Sequence, residues 1–343
     1  MQDPDKIPNE KPMPKLPDGK QLLQKFKDNP AVFLSLQKKY NLVKIPTYDG
    51  SYQLTHPKVL YFPNRWHGYS YWMSMTPYPH ERDLYENPSI VVSNDGKNWT
   101  TPAGLKNPVT GIPQDVKAGG HYSDPQLMIS GNTMELWYRY NPALPNKKHR
   151  RLPNNSANIY YRITSTDGVH WTQPEKLLED RDGHLSLCVL KENGVYRTWY
   201  ADYGGDLCYS ESANGHDWST PQYCKVPLPK GYRSYHQDMI HYGSTYYLLQ
   251  TAEKVSNYSF GLFLLTSTDG FHFSNPQQLY PSKNIALWKG VSFYRSTLFV
   301  KDNKLNLYVS LVIPKLKWFM TQMTIPFPQD AKSSAKVSKA IKI

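Results

Sequence analysis

The sequence predicts an all-β fold, a five-bladed β-propeller whose blades are four-stranded antiparallel sheets. Two observations predict it: one ten-residue segment recurs four times, and pairs of strand-like runs fill the chain between the copies. A unit of roughly 40 to 50 residues that recurs along a chain is typical of propeller blades or solenoid repeats. The copies read SNDGKNWTTP, STDGVHWTQP, SANGHDWSTP and STDGFHFSNP, and they begin at Ser93, Ser165, Ser212 and Ser267.

Each copy predicts a hairpin. Asp-Gly or Asn-Gly between short apolar runs is the strongest short-range signal for a two-residue hairpin turn. The aromatic residue three positions after the glycine is expected to begin the returning strand, and the proline to close it. These aromatic residues are Trp99, Trp171, Trp218 and Phe273. None of these roles is chemical, so the repeat is interpreted as scaffold.

The runs between the copies predict a second hairpin in each unit, which makes four strands per blade. They pair as KVLYF with YSYWMSM, QLMIS with TMELWYRY, LCVL with VYRTWYADY, and MIHYG with TYYLLQTA. A fifth pair, STLFV and LNLYVSL, has the same spacing without the turn signature. Four-stranded sheets repeated radially make a β-propeller.

The chain divides into three predicted regions. Residues 1–45 are rich in proline and charge, with a short helical segment, and are expected to form an arm. Residues 46–326 carry the propeller, and residues 327–343 form a basic tail. No apolar run is long enough to span a membrane, and the first residues lack an apolar signal-peptide core. We expect an extracytoplasmic monomer, secreted or at the cell surface, with no signal peptide in this chain.

Composition narrows the partners. Forty Lys and Arg against 28 Asp and Glu give a net charge of +12, which favours anionic partners. No helix-turn-helix, zinc-finger or RNA-binding signature accompanies this charge, so nucleic acid is not expected. The 27 Tyr and 9 Trp suit blade packing and glycan-binding faces alike. Three cysteines are too few for a paired-cysteine zinc site; Cys188 is expected to be a buried thiol, and a Cys208–Cys224 disulfide is open.

The functional face is expected opposite the repeated hairpins, because those hairpins join the third and fourth strands of each blade. The opposite face collects the first residues of the innermost strands and the loops between strands two and three. Alignment of the inner strands places at their starts His56, Asp124, His184, His236 or Asp238, and Arg295. The loops add Glu86, Glu253 and the cationic run from Lys147 to Arg151.

The sequence resembles the five-bladed β-propeller glycosidases of glycoside hydrolase families 43, 32 and 68, over roughly residues 46 to 326. The resemblance is carried by the Ser-x-Asp-Gly-x-x-Trp hairpins, by Ser-Asp-Pro-Gln-Leu at Asp124 and by Tyr-Glu-Asn-Pro-Ser-Ile at Glu86. In family 43 the first blade supplies an Asp as general base, the second an orienting Asp, and the third a Glu as general acid. Asp124 matches the second of these, whereas the first position holds His56 and the third falls near His184.

The segment around Glu86 is similar to the Arg-Asp-Pro segment of family 32, whose carboxylate binds sugar hydroxyls. The resemblance also implies that a histidine can serve as the acid, since its pKa near 6.5 lets it give or take a proton near neutrality. Glycoside cleavage normally needs two carboxyl groups across the bond. We therefore predict Asp124, Glu86 and Asp238 as catalytic residues, with substrate-binding residues His56, His184, His236, Glu253 and Arg295.

Three functions compete. The first is a glycoside hydrolase or transglycosidase that acts in the central funnel on a polysaccharide, an acidic one included. The second is a non-catalytic glycan-binding propeller of a cell-surface or phage adhesion protein. The third is phosphodiester or phosphosugar chemistry, suggested by the histidines and arginine of the funnel. No cofactor is required by these hypotheses, although three His and an Asp on the axis could coordinate a divalent ion.

Overall fold

The protein, in a computed structural model, is described over residues 29–143, 158–180, 185–315 and 317–328. The described chain begins in helix α1 (Asn29–Tyr40), which lies within the predicted arm. Short 3-10 turns follow at Pro79–Glu81, Asp83–Tyr85, Val116–Ala118 and Ile285–Trp288. No helix of the described residues is long and apolar enough to cross a membrane.

The strands form five antiparallel blades arranged around one axis, as the sequence predicts. Blade 1 contains β1 (Leu54–Trp66), β2 (Tyr69–Pro77) and β3 (Ser89–Ser93). Blade 2 contains β4 (His121–Ser130), β5 (Thr133–Asn141), β6 (Asn158–Ser165) and β7 (Glu175–Asp180). Blade 3 contains β8 (Leu185–Glu192), β9 (Val195–Ala201), β10 (Leu207–Ser212) and β11 (Gln222–Tyr223). Blade 4 contains β12 (Tyr232–Tyr242), β13 (Thr245–Lys254), β14 (Ser259–Ser267) and β15 (Gln277–Gln278).

Blade 5 closes the ring. Its innermost strand is split into β16 (Ser292–Phe293) and β17 (Thr297–Lys301), which pair with the same edge of β18 (Lys304–Ile313), and β19 (Lys317–Ile325) follows outside. The segment after α1 adds the outer edge: Leu42 bridges Thr321, and the Val43 amide donates to the Met320 carbonyl at 2.8 Å. The five innermost strands contact each other in a closed cycle, from β1 through β4, β8 and β12 to β17 and back to β1.

The repeated hairpins join the third strand of a blade to its outer edge, so they mark one face of the disc. The predicted two-residue turn is wrong, because the paired residues stand eight apart, as in the 3.0 Å bond from the Thr172 amide to the Thr164 carbonyl. Side chains replace the missing backbone pairs. Asp167 accepts the amides of Val169 and His170 at 2.8 Å each, and Ser165 accepts that of Gly168 at 2.8 Å.

The glycine of each hairpin packs against an aromatic ring of the preceding blade. All four have φ between 72° and 85°, in the left-handed region that favours glycine. A Cβ on Gly168 would overlap the Trp72 ring, and one on Gly96 would lie 2.8 Å from the Tyr308 hydroxyl. Gly215 and Gly270 face Trp137 and Trp199 in the same way. The repeat is therefore the device that joins neighbouring blades.

The three cysteines are free thiols. Cys208 packs in the apolar cluster with Trp137 and Tyr160, toward blade 2, whereas Cys224 packs beside Trp199, toward blade 4. Because the two side chains lie on opposite faces of blade 3, the Cys208–Cys224 disulfide left open by the sequence does not form. Cys188 is fully buried, as expected.

Candidate active site

The inner strands are irregular where they begin, at the face opposite the repeated hairpins. The first four carry a β-bulge, between Thr55 and Lys58, Ser123 and Gln126, Leu185 and Cys188, and Ser234 and His236. The fifth is split between β16 and β17, at Arg295. Three bulge residues are left-handed without being glycine: His56 with φ 53°, Asp124 with 49° and Ser186 with 57°. Such strained backbone clusters at functional sites, and bulges aim side chains there.

Asp124 is the centre of the group. Its side chain is buried and forms an ion pair with Arg139 Nη2 at 2.8 Å. It accepts hydrogen bonds from Ser186 Oγ at 2.9 Å and Arg295 Nη1 at 3.4 Å. Burial alone would raise the pKa of this carboxyl group. The positive charges of Arg139 and Arg295 hold its pKa well below the ordinary value. Asp124 is therefore a carboxylate at any physiological pH.

Two imidazoles face this carboxylate. His56 Nε2 lies 3.5 Å and His236 Nδ1 lies 3.7 Å from Asp124 Oδ1. Both histidines are almost fully buried, at 2% and 4% exposure. Burial, opposed by Asp124 and reinforced by Arg295, lowers the pKa of His56 to about 3 and that of His236 well below its usual range. Two neutral imidazoles thus face a carboxylate.

Three side chains have the geometry of a metal site. One ligand atom each from His56, Asp124 and His236 can be chosen so that all lie within 4.8 Å of one another. Nε2 of His56 and both ring nitrogens of His236 are buried without a hydrogen-bond partner, which is rare for buried polar atoms. Two imidazoles and one carboxylate are also the donor set of catalytic zinc sites that keep an open position. The residues fit a divalent cation.

Glu86 lies on the other side of His56. The loop between β2 and β3 brings its Oε1 to 2.8 Å from His56 Nδ1, and its Oε2 to 4.0 Å from His121 Nε2. Burial, strengthened by the charges of Asp83 and Asp124, raises the pKa of Glu86 well above its ordinary value. A carboxyl group on the second ring nitrogen orients a metal-ligating histidine.

Aromatic rings form one wall of the group. The Tyr294 ring centre lies 4.4 Å from that of His236 and 5.5 Å from that of His56. Phe260 meets Tyr294 edge-on at 5.4 Å, and Tyr235 lies 5.0 Å from Phe260. Tyr235 and Phe260 are only partly buried, so this wall extends toward solvent. Half-exposed aromatic faces suit the apolar face of a sugar ring.

The structure brings together five of the eight predicted site residues: Asp124, Glu86, His56, His236 and Arg295. Asp238 lies deeper on the axis, where Lys58, Thr297 and the Leu298 amide occupy its carboxylate. That surrounding favours a structural role over the catalytic one predicted for it. Glu253 lies 2.6 Å from Arg233 Nε. His184 and the Lys147–Arg151 run lie outside the described residues.

Four residues of the group are absent from the prediction: Ser186, Arg139, His121 and Tyr294. In blade 3 the bulge places Ser186 against Asp124. An equivalent bulge occurs in blades 1, 2 and 3, at the triplets His56-Pro-Lys, Asp124-Pro-Gln and Ser186-Leu-Cys. Arg139 enters from a second strand, and no sequence signal marks it.

Comparison with known proteins gives one sequence relative and several structural ones. No family model matches the chain. A curated relative, the A type blood N-acetyl-α-D-galactosamine deacetylase of Flavonifractor plautii, is 37% identical over 122 residues, which are 36% of this chain and only 15% of that protein.

Two solved structures illustrate the likeness in fold. The crystal structure of an N-acetylgalactosamine deacetylase from F. plautii with blood group B trisaccharide matches with a TM-score of 0.69 and 18% identity, over 85% of this chain and 96% of that one. The Bacteroides ovatus xyloglucan-locus protein GH43B matches with a TM-score of 0.57 and 11% identity, over 81% and 53%. These comparisons confirm the predicted five-bladed propeller and its likeness in fold to the family 43 glycosidases.

Proposed function

We propose that this propeller is a carbohydrate-active hydrolase that removes the acetyl group from an N-acetylated sugar, using a divalent cation held by His56, Asp124 and His236. The observation that carries the proposal is the convergence on one carboxylate, at the mouth of the funnel, of two imidazoles whose facing ring nitrogens have no hydrogen-bond partner. The deacetylase named among the relatives supplies the choice of bond. The proposal therefore replaces glycosidic cleavage by amide cleavage on the same class of substrate.

The arrangement of carboxyl groups favours this choice. A glycosidase places a carboxylic acid and a carboxylate on either side of the scissile bond. Here the ring of His56 fills the space between Glu86 and Asp124, with one nitrogen facing each. Two guanidinium groups and a hydroxyl group also contact the carboxylate oxygens of Asp124. These oxygens are therefore poorly available for attack on a sugar carbon.

Each residue then has a definite task. When bound, a divalent cation supplies Lewis-acid polarisation of a carbonyl group and activation of water. Arg139, Arg295 and Ser186 fix Asp124 as an ionised ligand. Glu86 orients His56 through Nδ1. Water adds to the acetyl carbon, the C–N bond breaks, and a proton of that water goes to the departing nitrogen, which leaves acetate and an amino sugar.

The aromatic wall supports a sugar as the substrate. Tyr235 and Phe260 are partly exposed beside the proposed metal ligands and present flat apolar surfaces to the funnel. A hexose stacked on this wall would bring a ring substituent, such as an acetamido group, toward His236. Arg139, at 14% side-chain exposure, offers a hydrogen-bond donor from the opposite blade.

The test separates the two bonds. We would incubate the purified protein with Zn²⁺ and oligosaccharides ending in N-acetylgalactosamine or N-acetylglucosamine, and measure acetate, free amine and new reducing ends in one reaction. The expected result is acetate and amine in equal amounts with no new reducing ends. Reducing ends without acetate would overturn the proposal in favour of a glycosidase, and binding without either product would favour the non-catalytic propeller.

Glu86→Gln provides the matched variant, since the amide keeps the size of the side chain and removes the carboxyl group that orients His56. Loss of such an orienting partner typically lowers metal affinity or activity by about 10 to 100 fold. The control is Glu211→Gln, on the opposite face, where the carboxylate pairs with Arg197 at 3.2 Å. Full activity of Glu86→Gln would remove this residue from the mechanism.

A further inference from the structure

A buried ion pair lies on the propeller axis directly below the proposed metal ligands. Lys58 Nζ is 2.6 Å from Asp238 Oδ1, and the two residues are 4% and 1% exposed. The other carboxylate oxygen of Asp238 accepts Thr297 Oγ1 at 2.7 Å and the Leu298 amide at 3.1 Å. The pair thus links the inner strands of blades 1, 4 and 5.

The position of the pair along the chain relates it to the site. Lys58 follows His56 by two residues on β1, and Asp238 follows His236 by two residues on β12. The Lys58–Asp238 pair therefore joins the two strands that carry the imidazoles, two residues after each histidine. The His56 and His236 ring centres lie 5.2 Å apart, in an edge-to-face contact.

Stability alone is a poor reason for such a pair. Burial of two charges costs desolvation that their attraction often fails to exceed, and apolar replacements of similar volume are frequently neutral or stabilising. A buried ion pair does impose one geometry, because a small displacement leaves both charges without compensation. In some proteins such buried polar pairs fix the register of the elements that carry them.

We propose that Lys58 and Asp238 are positioning residues that set the separation of His56 and His236, and hence the affinity and geometry of the divalent-cation site. This proposal rests on the proposed function only for the assignment of the two histidines as ligands. Neither residue contacts the cation or substrate. Both act through the backbone of the strand that carries the neighbouring histidine.

The experiment measures Zn²⁺ affinity by competition with a chromophoric chelator, without any substrate. Four proteins are compared: the native chain, Lys58→Met, Asp238→Asn and the double variant. Residues that orient metal ligands typically contribute 10- to 100-fold in affinity, so each single variant is expected to bind Zn²⁺ about 10 to 100 times more weakly. The double variant is expected to be no weaker than the worse single one, because the two residues act as one unit.

The double variant also guards against failure to fold, since it leaves no unpaired buried charge. A second readout is the visible spectrum of the Co²⁺-saturated proteins, which reports ligand geometry and is insensitive to global stability. The spectrum is expected to change in the double variant. Arg162→Met is the matched control: it removes a cation 3.5 Å from the buried Glu135 on the other face, and its Zn²⁺ affinity and Co²⁺ spectrum should equal those of the native chain.

The outcomes distinguish the two proposals. A native chain that binds neither Zn²⁺ nor Co²⁺ would overturn the metal site and the positioning role together. A native chain that binds Zn²⁺, with a folded double variant of unchanged affinity and spectrum, would overturn the positioning role alone. Equal weakening in Arg162→Met would also overturn it, because the effect would then follow from destabilisation in general.

Discussion

The two faces of this propeller repeat in different ways. On one face the side chains repeat: four hairpins share Ser, Asp or Asn, Gly and an aromatic residue, with the same hydrogen bonds in each. On the other face the backbone repeats and the side chains differ: the bulged or split starts of the inner strands carry His56, Asp124, Ser186, His236 and Arg295.

The contrast has a physical origin. Each hairpin packs a glycine against an aromatic residue of the preceding blade, so the same residues can recur in all four hairpins. The strand starts meet at one axis, where five identical side chains would repel or leave gaps. Distinct residues can instead compensate each other, as Asp124 is compensated by Arg139 and Arg295. The side chains that repeat along the sequence therefore belong to the scaffold, and the strand starts whose side chains differ from blade to blade form the candidate site.

The largest expected effect is that of Asp124→Asn. Asparagine retains the shape but removes the charge that faces two guanidinium groups and two imidazoles, so the proposed cation loses its anionic ligand. We expect turnover to fall at least about a thousandfold, on the scale of lost electrostatic stabilisation. Acetate release and Zn²⁺ affinity check it.

Asp269→Asn makes the same chemical change on the hairpin face and should keep full activity. The two variants thus compare the faces directly. If Asp269→Asn lowered turnover as much as Asp124→Asn does, the division between scaffold and site would be wrong.

The second effect concerns stability. In Gly168→Ala the new methyl group would overlap the Trp72 ring at a residue with φ 76°. We expect a loss of about 2 to 4 kcal/mol in the free energy of unfolding, from backbone strain and overpacking together. The activity of the folded protein should be unchanged.

Gly131→Ala separates the two causes. Gly131 has φ 59° in the β4–β5 turn, and a Cβ there would meet open space. Strain alone should cost about 1 kcal/mol. Equal losses in the two variants, measured by urea unfolding, would contradict the proposed contact between blades.

Much of the fold could be predicted from the sequence, because the hairpin segment of the scaffold recurs four times along the chain. The hairpins and the five blades follow from it. The length of the turn does not, since Asp167 and Ser165 bind amides through their side chains where the dipeptide Asp-Gly suggests a two-residue turn. The closure of blade 5 by Leu42 and Val43 also lacks a signal, because two residues form no periodic pattern.

The site could be predicted only in part. His56 and Asp124 precede prolines at the starts of clear strands, and their side chains lie 3.5 Å apart. Ser186 was missed because a bulge adds a residue that no apolar alternation reveals. The sequence also does not show how deep along the axis a residue lies. Asp238 and His236 are two positions apart, yet Asp238 pairs with Lys58 deeper on the axis and His236 faces Asp124.

The third effect tests the bulge at Ser186, whose hydroxyl donates to Asp124 while its backbone is left-handed. Ser186→Ala and Ser186→Gly both remove the hydrogen bond, so both should lower turnover by about tenfold, the equivalent of a neutral donor to a charged acceptor. Glycine also relieves the backbone strain, and we expect it to unfold at a higher temperature than alanine. If the turnover of the two variants instead differed in the same order as their melting temperatures, Ser186 would contribute to folding stability alone.

The smallest effect concerns pH and the hairpin face. His170 and backbone amides lower the pKa of Asp167, and backbone amides first of all lower those of Asp95 and Asp269. A carboxyl group whose pKa is lower in the folded than in the unfolded state stabilises the fold above its unfolded pKa, near 3.9, and loses that contribution as the pH falls toward its folded pKa.

Blade 3 supplies the natural control, because its hairpin has Asn214, which accepts the same two amides at 2.9 Å and does not titrate. We expect the triple variant Asp95→Asn/Asp167→Asn/Asp269→Asn to melt slightly below the native chain at pH 7, since the carboxylates make the stronger bonds. The gap should narrow steadily below about pH 4 and vanish once the native carboxylates are protonated. Melting temperatures of both proteins measured across this range decide it, and a gap of constant size would mean that these turns contribute by shape and not by charge.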